Sequence, residues 1–359
     1  MRRDADIVVV GAGITGASTA KALAQAGRGV LLVEQFEPGH DRGSSHGGSR
    51  IFRLSYPDPH YVRLAQCALQ SWRELEAECG ERLIVQTGAL DFGPVALENA
   101  RALAASGVRH ELLADTQVRA RWPITADPGE PILYHPDAGI TLSGRAWEVI
   151  VSGALDAGAV LLQDRRVTGI TEERGTVRVT TAGEDIFARA CVVAAGAWAR
   201  ELLDGVGIEL PVIPTRETVT YFRLQGAIDL PPVMDDAVPD PNEHGLRRPG
   251  LINYAVAAPG VGLKAGLHHA GPPTDPDDPG EVDPAIVRWV CTWAARRYPE
   301  LDAEPIASET CIYTNTADES FVLERHGRVV VASVCSGHGF KFAPFFGRTL
   351  AGLARDAAG

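Results

Sequence analysis

Residues 7–34, IVVVGAGITGASTAKALAQAGRGVLLVE, constrain this chain more than any other stretch. Four apolar β-formers run into Gly11-Ala12-Gly13-Ile14-Thr15-Gly16. A helical segment continues to about Ala26, Gly27 closes it, and a second apolar run ends on Glu34. This is a βαβ unit with a dinucleotide fingerprint: Gly11 permits the tight turn, Gly13 lets backbone approach a pyrophosphate, and Gly16 lets the helix lie close on the strand. The helix N-terminus adds free N–H groups and a positive dipole end. Glu34, eighteen residues after Gly16, is placed to accept from a ribose hydroxyl, and its charge repels a 2′-phosphate. The flanking strand, the helix and the acid raise the match above a chance Gly-rich turn. They point to FAD or NAD, which this stretch alone does not separate.

At 359 residues the chain exceeds the usual size of one domain, so two domains around one cofactor are expected. The net charge of −12, with no basic run, argues against nucleic acid or an anionic membrane surface as partner. No stretch reaches the length of a membrane span, and MRRDAD leads into the first strand without an apolar signal region, so we expect a cytoplasmic protein. The six cysteines (67, 79, 191, 291, 311 and 335) lack CxxC or CxH spacing, which fits reduced thiols and no metal centre. Of 34 basic residues only Lys21, Lys264 and Lys341 are lysine. Against that background of arginine, a retained lysine hints at a need for a compact ammonium whose pKa burial can lower.

Further along, the spacing predicts a helix over Tyr61–Cys79, a strand over Val85–Phe92, helices over Ala96–Ser106 and Gly144–Ala157, and short strands from Val160 to Ala188, one of them starting at Val167. Cys191–Trp198 reads as a buried strand with a Gly turn at Gly196, where a parallel sheet would deliver backbone to a cofactor. Glu217–Leu224, Leu251–Ala257 and Gly262–His268 read as strands of a second, antiparallel sheet. Asp229–Pro249 and Gly271–Pro284 read as loops, the first as a lid or pocket wall. A helix over Pro284–Arg297, a strand over Glu304–Thr314 and a last strand over Val329–Val334 precede a C-terminal helix.

Four patches carry the chemistry: the fingerprint, Gly43-Ser44-Ser45-His46-Gly47-Gly48-Ser49-Arg50 with Arg53, the pair Lys264 and Cys311, and Ser336-Gly337-His338-Gly339-Phe340-Lys341-Phe342. With Val193-Ala194-Ala195-Gly196-Ala197-Trp198, they resemble the monomeric sarcosine oxidase and N-methyltryptophan oxidase family of flavoenzymes, in order from the first strand to the last helix. Cys311-Ile312-Tyr313-Thr314-Asn315-Thr316-Ala317-Asp318-Glu319 is similar to that family's segment for covalent flavin attachment.

The resemblance implies FAD, linked through Cys311 to the flavin 8α-methyl carbon. A thiolate is the attacking form, and His46 and Arg50 match residues able to supply the positive charge that lowers a thiol pKa. It implies that Lys264 activates O₂ and that Arg53 and Lys341 hold a substrate carboxylate, a two-pronged fork beside a point charge. Tyr254 and His268 correspond to pocket residues, although Tyr254 also reads as a core tyrosine; strand spacing puts Lys264 and His268 on one face and turns His269 the other way. Ser45 stands where some members have a second His, and the chain ends about one helix after SGHGFKF, where a further tail is expected.

The implied fold is an α/β one of the D-amino-acid-oxidase type. A Rossmann-like FAD-binding domain comprises 1–82, 144–213 and 310–359; a mostly antiparallel-sheet substrate domain comprises 83–143 and 214–309. The expected activity is that of a monomeric oxidase of a secondary amine in a small amino acid, taking O₂ and giving an imine and hydrogen peroxide. A biosynthetic oxidase of a cyclic amino acid such as pipecolate or piperideine-2-carboxylate is the alternative. A nicotinamide-dependent dehydrogenase would leave Cys311 and Lys264 idle.

Overall fold

The computed structural model describes residues 4–173, 175–236 and 251–359. At its centre a six-stranded sheet runs in the order Val322–His326, Val329–Ser333, Ala190–Val193, Ile7–Val10, Val30–Val33, Val160–Leu162; every pairing is parallel except that of the edge strand Val322–His326. Alternation along each strand feeds two cores. Ile7 and Val9 pack with Ala20 and Leu23 of helix Ile14–Gln25 and Leu350 of helix Ala343–Ala358, while Val8 and Val10 pack with Val177 and Val179 of a three-stranded antiparallel sheet. Both faces are thus covered, which is what near-continuous apolar strands require.

The chain leaves Ile7–Val10 toward Val30–Val33 on one side, and Ala190–Val193 lies on the other. The crevice beyond the carboxyl ends of Ile7–Val10 and Ala190–Val193 is therefore a topological switch point, the place where open α/β sheets bind ligands.

A second, eight-stranded sheet runs Ala307–Asn315, Ile213–Phe222, Gly262–His268, Ile252–Ala258, Val233–Asp235, Ala89–Phe92, Ile132–His135, Glu111–Leu112. Among the described residues of this sheet only the pair Val233–Asp235 with Ala89–Phe92 is parallel. Helix Pro284–Arg297 covers it through Ile286, Trp289, Val290 and Trp293. The strand carrying Cys311 pairs along its length with Ile213–Phe222, so it belongs to this second sheet although it borders the cofactor crevice. A small sheet of Arg50–Phe52, Gly139–Thr141 and Ile84–Val85 brings Arg50 and Arg53 toward the same crevice.

The long elements fall within a few residues of the sequence expectation; short ones depart from it. The expected strand Val85–Phe92 is broken at Gly88, whose φ of +75° and contact with the Tyr134 ring, 2.3 Å from a hypothetical Cβ, admit no other residue without strain. Part of the expected loop Asp229–Pro249 is the strand Val233–Asp235, and the rest from residue 237 lies outside the described residues. Among the described residues no helix is long and apolar enough to cross a membrane.

Candidate functional site

One cavity of about 600 Å³ begins at the switch point and continues to the second sheet. Every site residue expected from the sequence lines it except Gly16. Gly16 acts from behind: a Cβ there would stand 1.9 Å from the Gly11 carbonyl oxygen, and one on Gly11 (φ +97°) would stand 2.5 Å from that of Ala194. A Cβ on Gly13 would meet only Ser45 Oγ within 4 Å, so this face of the loop stays open.

Helix Ile14–Gln25 starts there without a side-chain cap or an acid in its first turn, and the Ile14 N–H donates to Ser45 Oγ at 3.0 Å. An uncapped N-terminus facing an open glycine loop suits the pyrophosphate of a dinucleotide. Glu34 is buried at the end of its strand. Its Oε2 accepts from the Ala12 N–H at 2.8 Å, and its Oε1 accepts from Gln35 and Phe36 N–H. Burial works to raise this carboxyl, but hydrogen bonds from His40 and the backbone hold it below the ordinary range, so it is an ionised acceptor. Val167, Gly196 and Trp198 line the cavity nearby. These residues fit FAD.

The Gly43–Arg50 loop is tied to itself and to the second sheet. Arg50 donates to the carbonyls of Ser44 (2.9 Å), His46 (2.5 Å) and Ser49 (2.8 Å). Ser44 Oγ donates to the Ile312 carbonyl at 2.6 Å, beside Cys311. His46 Nδ1 meets the Gly43 carbonyl at 2.7 Å, and burial lowers its pKa, so it is a neutral imidazole rather than the cation expected beside Cys311. Burial likewise pushes the Cys311 thiol up to about 12, with Arg50 and then Lys264 pulling the other way. The expected lowering by neighbouring charge is present and is outweighed by desolvation.

Lys264 is 6% exposed and its ammonium donates to the Ser49 carbonyl at 2.9 Å. Burial, then repulsion from Arg50, brings its pKa down to about 7. Lys341 is 4% exposed; its ammonium donates to the His338 carbonyl (2.7 Å) and the Tyr56 hydroxyl (2.9 Å) instead of reaching solvent. Burial and Arg53 hold it well below the ordinary lysine range. Arg53 donates to the Ser55 carbonyl and lies over the Tyr56 ring, 4.1 Å from its centroid. The Tyr254 phenol stands across the strand pair against Gly266, and burial raises its pKa. His268 Nδ1 is 3.3 Å from the Tyr313 hydroxyl, and burial keeps this ring neutral.

Several residues around the cavity carry no signal in the sequence. Tyr56 touches both Arg53 and Lys341, yet it sits in a loop with no repeat spacing around it. His338 lies within Ser336–Phe342; its Nδ1 is 3.1 Å from the Tyr56 hydroxyl and its Nε2 3.1 Å from the Glu319 carbonyl. Trp147 Nε1 donates to the Ala12 carbonyl and Trp72 Nε1 to the Lys341 carbonyl, fixing both ends of the cavity. His269 does not turn away: at φ 59° it brings its ring to 4.0 Å from that of His268.

A family profile described as FAD dependent oxidoreductase matches residues 6–353. The peroxisomal sarcosine oxidase of Homo sapiens is 32% identical over 368 residues, covering 96% of this chain and 90% of its own. The monomeric sarcosine oxidase of Bacillus sp. (strain B-0618) is 32% identical over 367 residues, covering 97% and 92%. Among solved structures, NikD, an unusual amino acid oxidase essential for nikkomycin biosynthesis, superposes with a TM-score of 0.88 at 26% identity, covering 98% of this chain and 94% of its own.

Proposed function

The chain belongs to the FAD dependent oxidoreductase family, and from that premise we propose that it oxidises the secondary amine of a small amino acid, of the sarcosine or N-methyl type, to an imine, with hydrogen peroxide formed from O₂. The observation that carries this reading is that Arg53 and Lys341 stand in the wall of the same cavity as the dinucleotide fingerprint, Lys264 and Cys311. When bound, FAD supplies the hydride acceptor and passes the electrons on to O₂.

The chain's own residues do the rest. Gly11, Gly13, Gly16 and Glu34 would hold the adenine end; Gly43, Ser44, His46, Arg50, Val167, Gly196, Trp198, Gly337, Gly339 and Lys341 would wall the remainder; and Cys311 would hold the group covalently through its sulfur. A bound carboxylate favours the charged form of Lys341, whose ammonium has two of its three N–H donors engaged and one left for that carboxylate beside the Arg53 guanidinium. His268, kept neutral, offers a hydrogen-bonding group without a further positive charge, and Tyr254 closes the pocket wall. Lys264 holds a buried positive charge that can stabilise negative charge growing on O₂. The imine leaves the site and hydrolyses, which for an N-methyl substrate gives formaldehyde and the primary amino acid.

We place the cofactor and substrate regions at the boundaries stated from the sequence, with the Cys311 strand shared between them. A monomer in the cytoplasm is part of the same proposal. Oxygen uptake tests it, using N-methyl amino acids, cyclic amino acids and the same amines without their carboxylate. Uptake should require the carboxylate; equal turnover of the decarboxylated amines would remove the role of Arg53 and Lys341. The cyclic compounds belong in the panel because a cyclic amino acid is the alternative substrate class.

A further inference from the structure

His268 ends the strand Gly262–His268 and His269 follows it. Neighbouring residues in a regular strand point to opposite faces, but the left-handed φ of His269 swings its ring back beside that of His268, with centroids 4.0 Å apart. Glu319, also left-handed at φ 61°, brings Oε1 to 3.5 Å from His269 Nε2. One ligand atom from each of His268, His269 and Glu319 falls within 4.8 Å of the other two. Both rings pack on Tyr313, at 5.5 and 5.6 Å, and His268 Nδ1 meets its hydroxyl, the kind of outer partner that fixes a ligating imidazole.

We propose that His268, His269 and Glu319 form a binding site for a divalent transition-metal ion, zinc in the first instance, beside the substrate cavity, and that the bound ion blocks amine oxidation by taking His268. Two imidazoles and a carboxylate suit zinc, copper, nickel or iron rather than magnesium or calcium. Around a tetrahedral zinc with bonds near 2.0–2.2 Å the donor atoms stand about 3.3–3.6 Å apart. His269 and Glu319 already have that spacing, His268 offers a ligand atom within 4.8 Å of both, and the Glu319 side chain, 55% exposed, gives a route from solvent. Three protein ligands leave a fourth position for water or an anion. The block rests on the reading of His268 as a substrate-cavity residue; the metal site does not.

Calorimetric titration of the chelator-treated holoenzyme with zinc chloride, and separately with magnesium chloride, tests the site. His269→Asn keeps a residue that tolerates the left-handed backbone, and Glu319→Gln keeps the shape of the third ligand. We expect one zinc per chain and no magnesium. Because loss of an outer-shell partner alone costs about 10–100-fold in affinity, each variant should weaken zinc binding by about tenfold or more. No zinc binding by the wild type, or binding that both variants retain in full, overturns the site. The block is read separately, as the rate of flavin reduction by an amine substrate with and without zinc; both variants should match the wild type without zinc and escape its inhibition. Stoichiometric binding lost in the variants, with no slowing of reduction in the wild type, keeps the metal site and overturns both the block and the substrate role of His268.

Discussion

The Tyr56 hydroxyl accepts from the Lys341 ammonium at 2.9 Å, while the ring of the same Tyr56 carries the Arg53 guanidinium 4.1 Å from its centroid. One buried aromatic residue therefore sets both cations proposed for the substrate carboxylate. The hydroxyl, having accepted from Lys341, donates onward to His338 Nδ1, and the opposite nitrogen of that ring donates to the Glu319 carbonyl. This chain fixes His338 as the neutral Nε2–H tautomer, which agrees with a ring held well below its ordinary pKa by burial and by Lys341.

Tyr56→Phe removes the hydroxyl and keeps the ring beneath Arg53. A hydrogen bond to a charged group is worth about 1.5–3 kcal/mol, so the KM for an amino-acid substrate should rise about tenfold or more with kcat less affected. Tyr56→Leu removes the ring as well and should raise KM further. Steady-state kinetics check this, and equal KM values in all three proteins would contradict it.

Arg53→Ala should raise KM for the amino acid by a similar factor, about 10–100-fold, and Arg53→Lys should recover little of it. A lysine has neither the fork for a carboxylate nor the plane that lies on Tyr56. The kinetic comparison of the two variants separates lost charge from lost geometry.

Lys264→Met should slow flavin reoxidation by O₂ far more than flavin reduction by the amine. Its pKa near 7 adds a pH signature. The group is charged below that value and neutral above it, so reoxidation should fall as pH rises, by about tenfold per unit well above pH 7. Stopped-flow reoxidation across about pH 6 to 9 should show this decline in the wild type and a flat profile in Lys264→Met. Comparable losses in both half-reactions would remove the assigned role.

Cys311→Ser should leave the flavin bound without a covalent link. Acid precipitation should keep the yellow colour in the wild-type pellet and release it to the supernatant from the variant. Colour wholly in the wild-type supernatant would exclude the link through sulfur.

How much of this was legible beforehand depended on sequence range. Residues 7–34 hold a complete βαβ unit in one stretch, so periodicity and glycine spacing are enough, and Gly11 and Gly16 make the close approaches expected of them. Lys264 and Lys341 stood out because lysine is rare here, and both are buried in the cavity wall. Short strands such as Ile132–His135, Gly139–Thr141 and Val233–Asp235 were missed because three or four residues carry no readable period, and their partners are distant in sequence. The position of His269 was missed because strand alternation fails at a left-handed residue, and nothing in the letters HH announces one. For Cys311 the resemblance supplies the charged neighbour Arg50 but not the burial that outweighs it.

The central claim, that this cavity oxidises an amino-acid amine, is tested most directly by anaerobic mixing of the purified protein with N-methyl, cyclic and primary amino acids while the flavin absorbance is followed. The account predicts bleaching by secondary amino acids, reversed on admitting air with hydrogen peroxide formed. A yellow protein that none of them bleaches would contradict it.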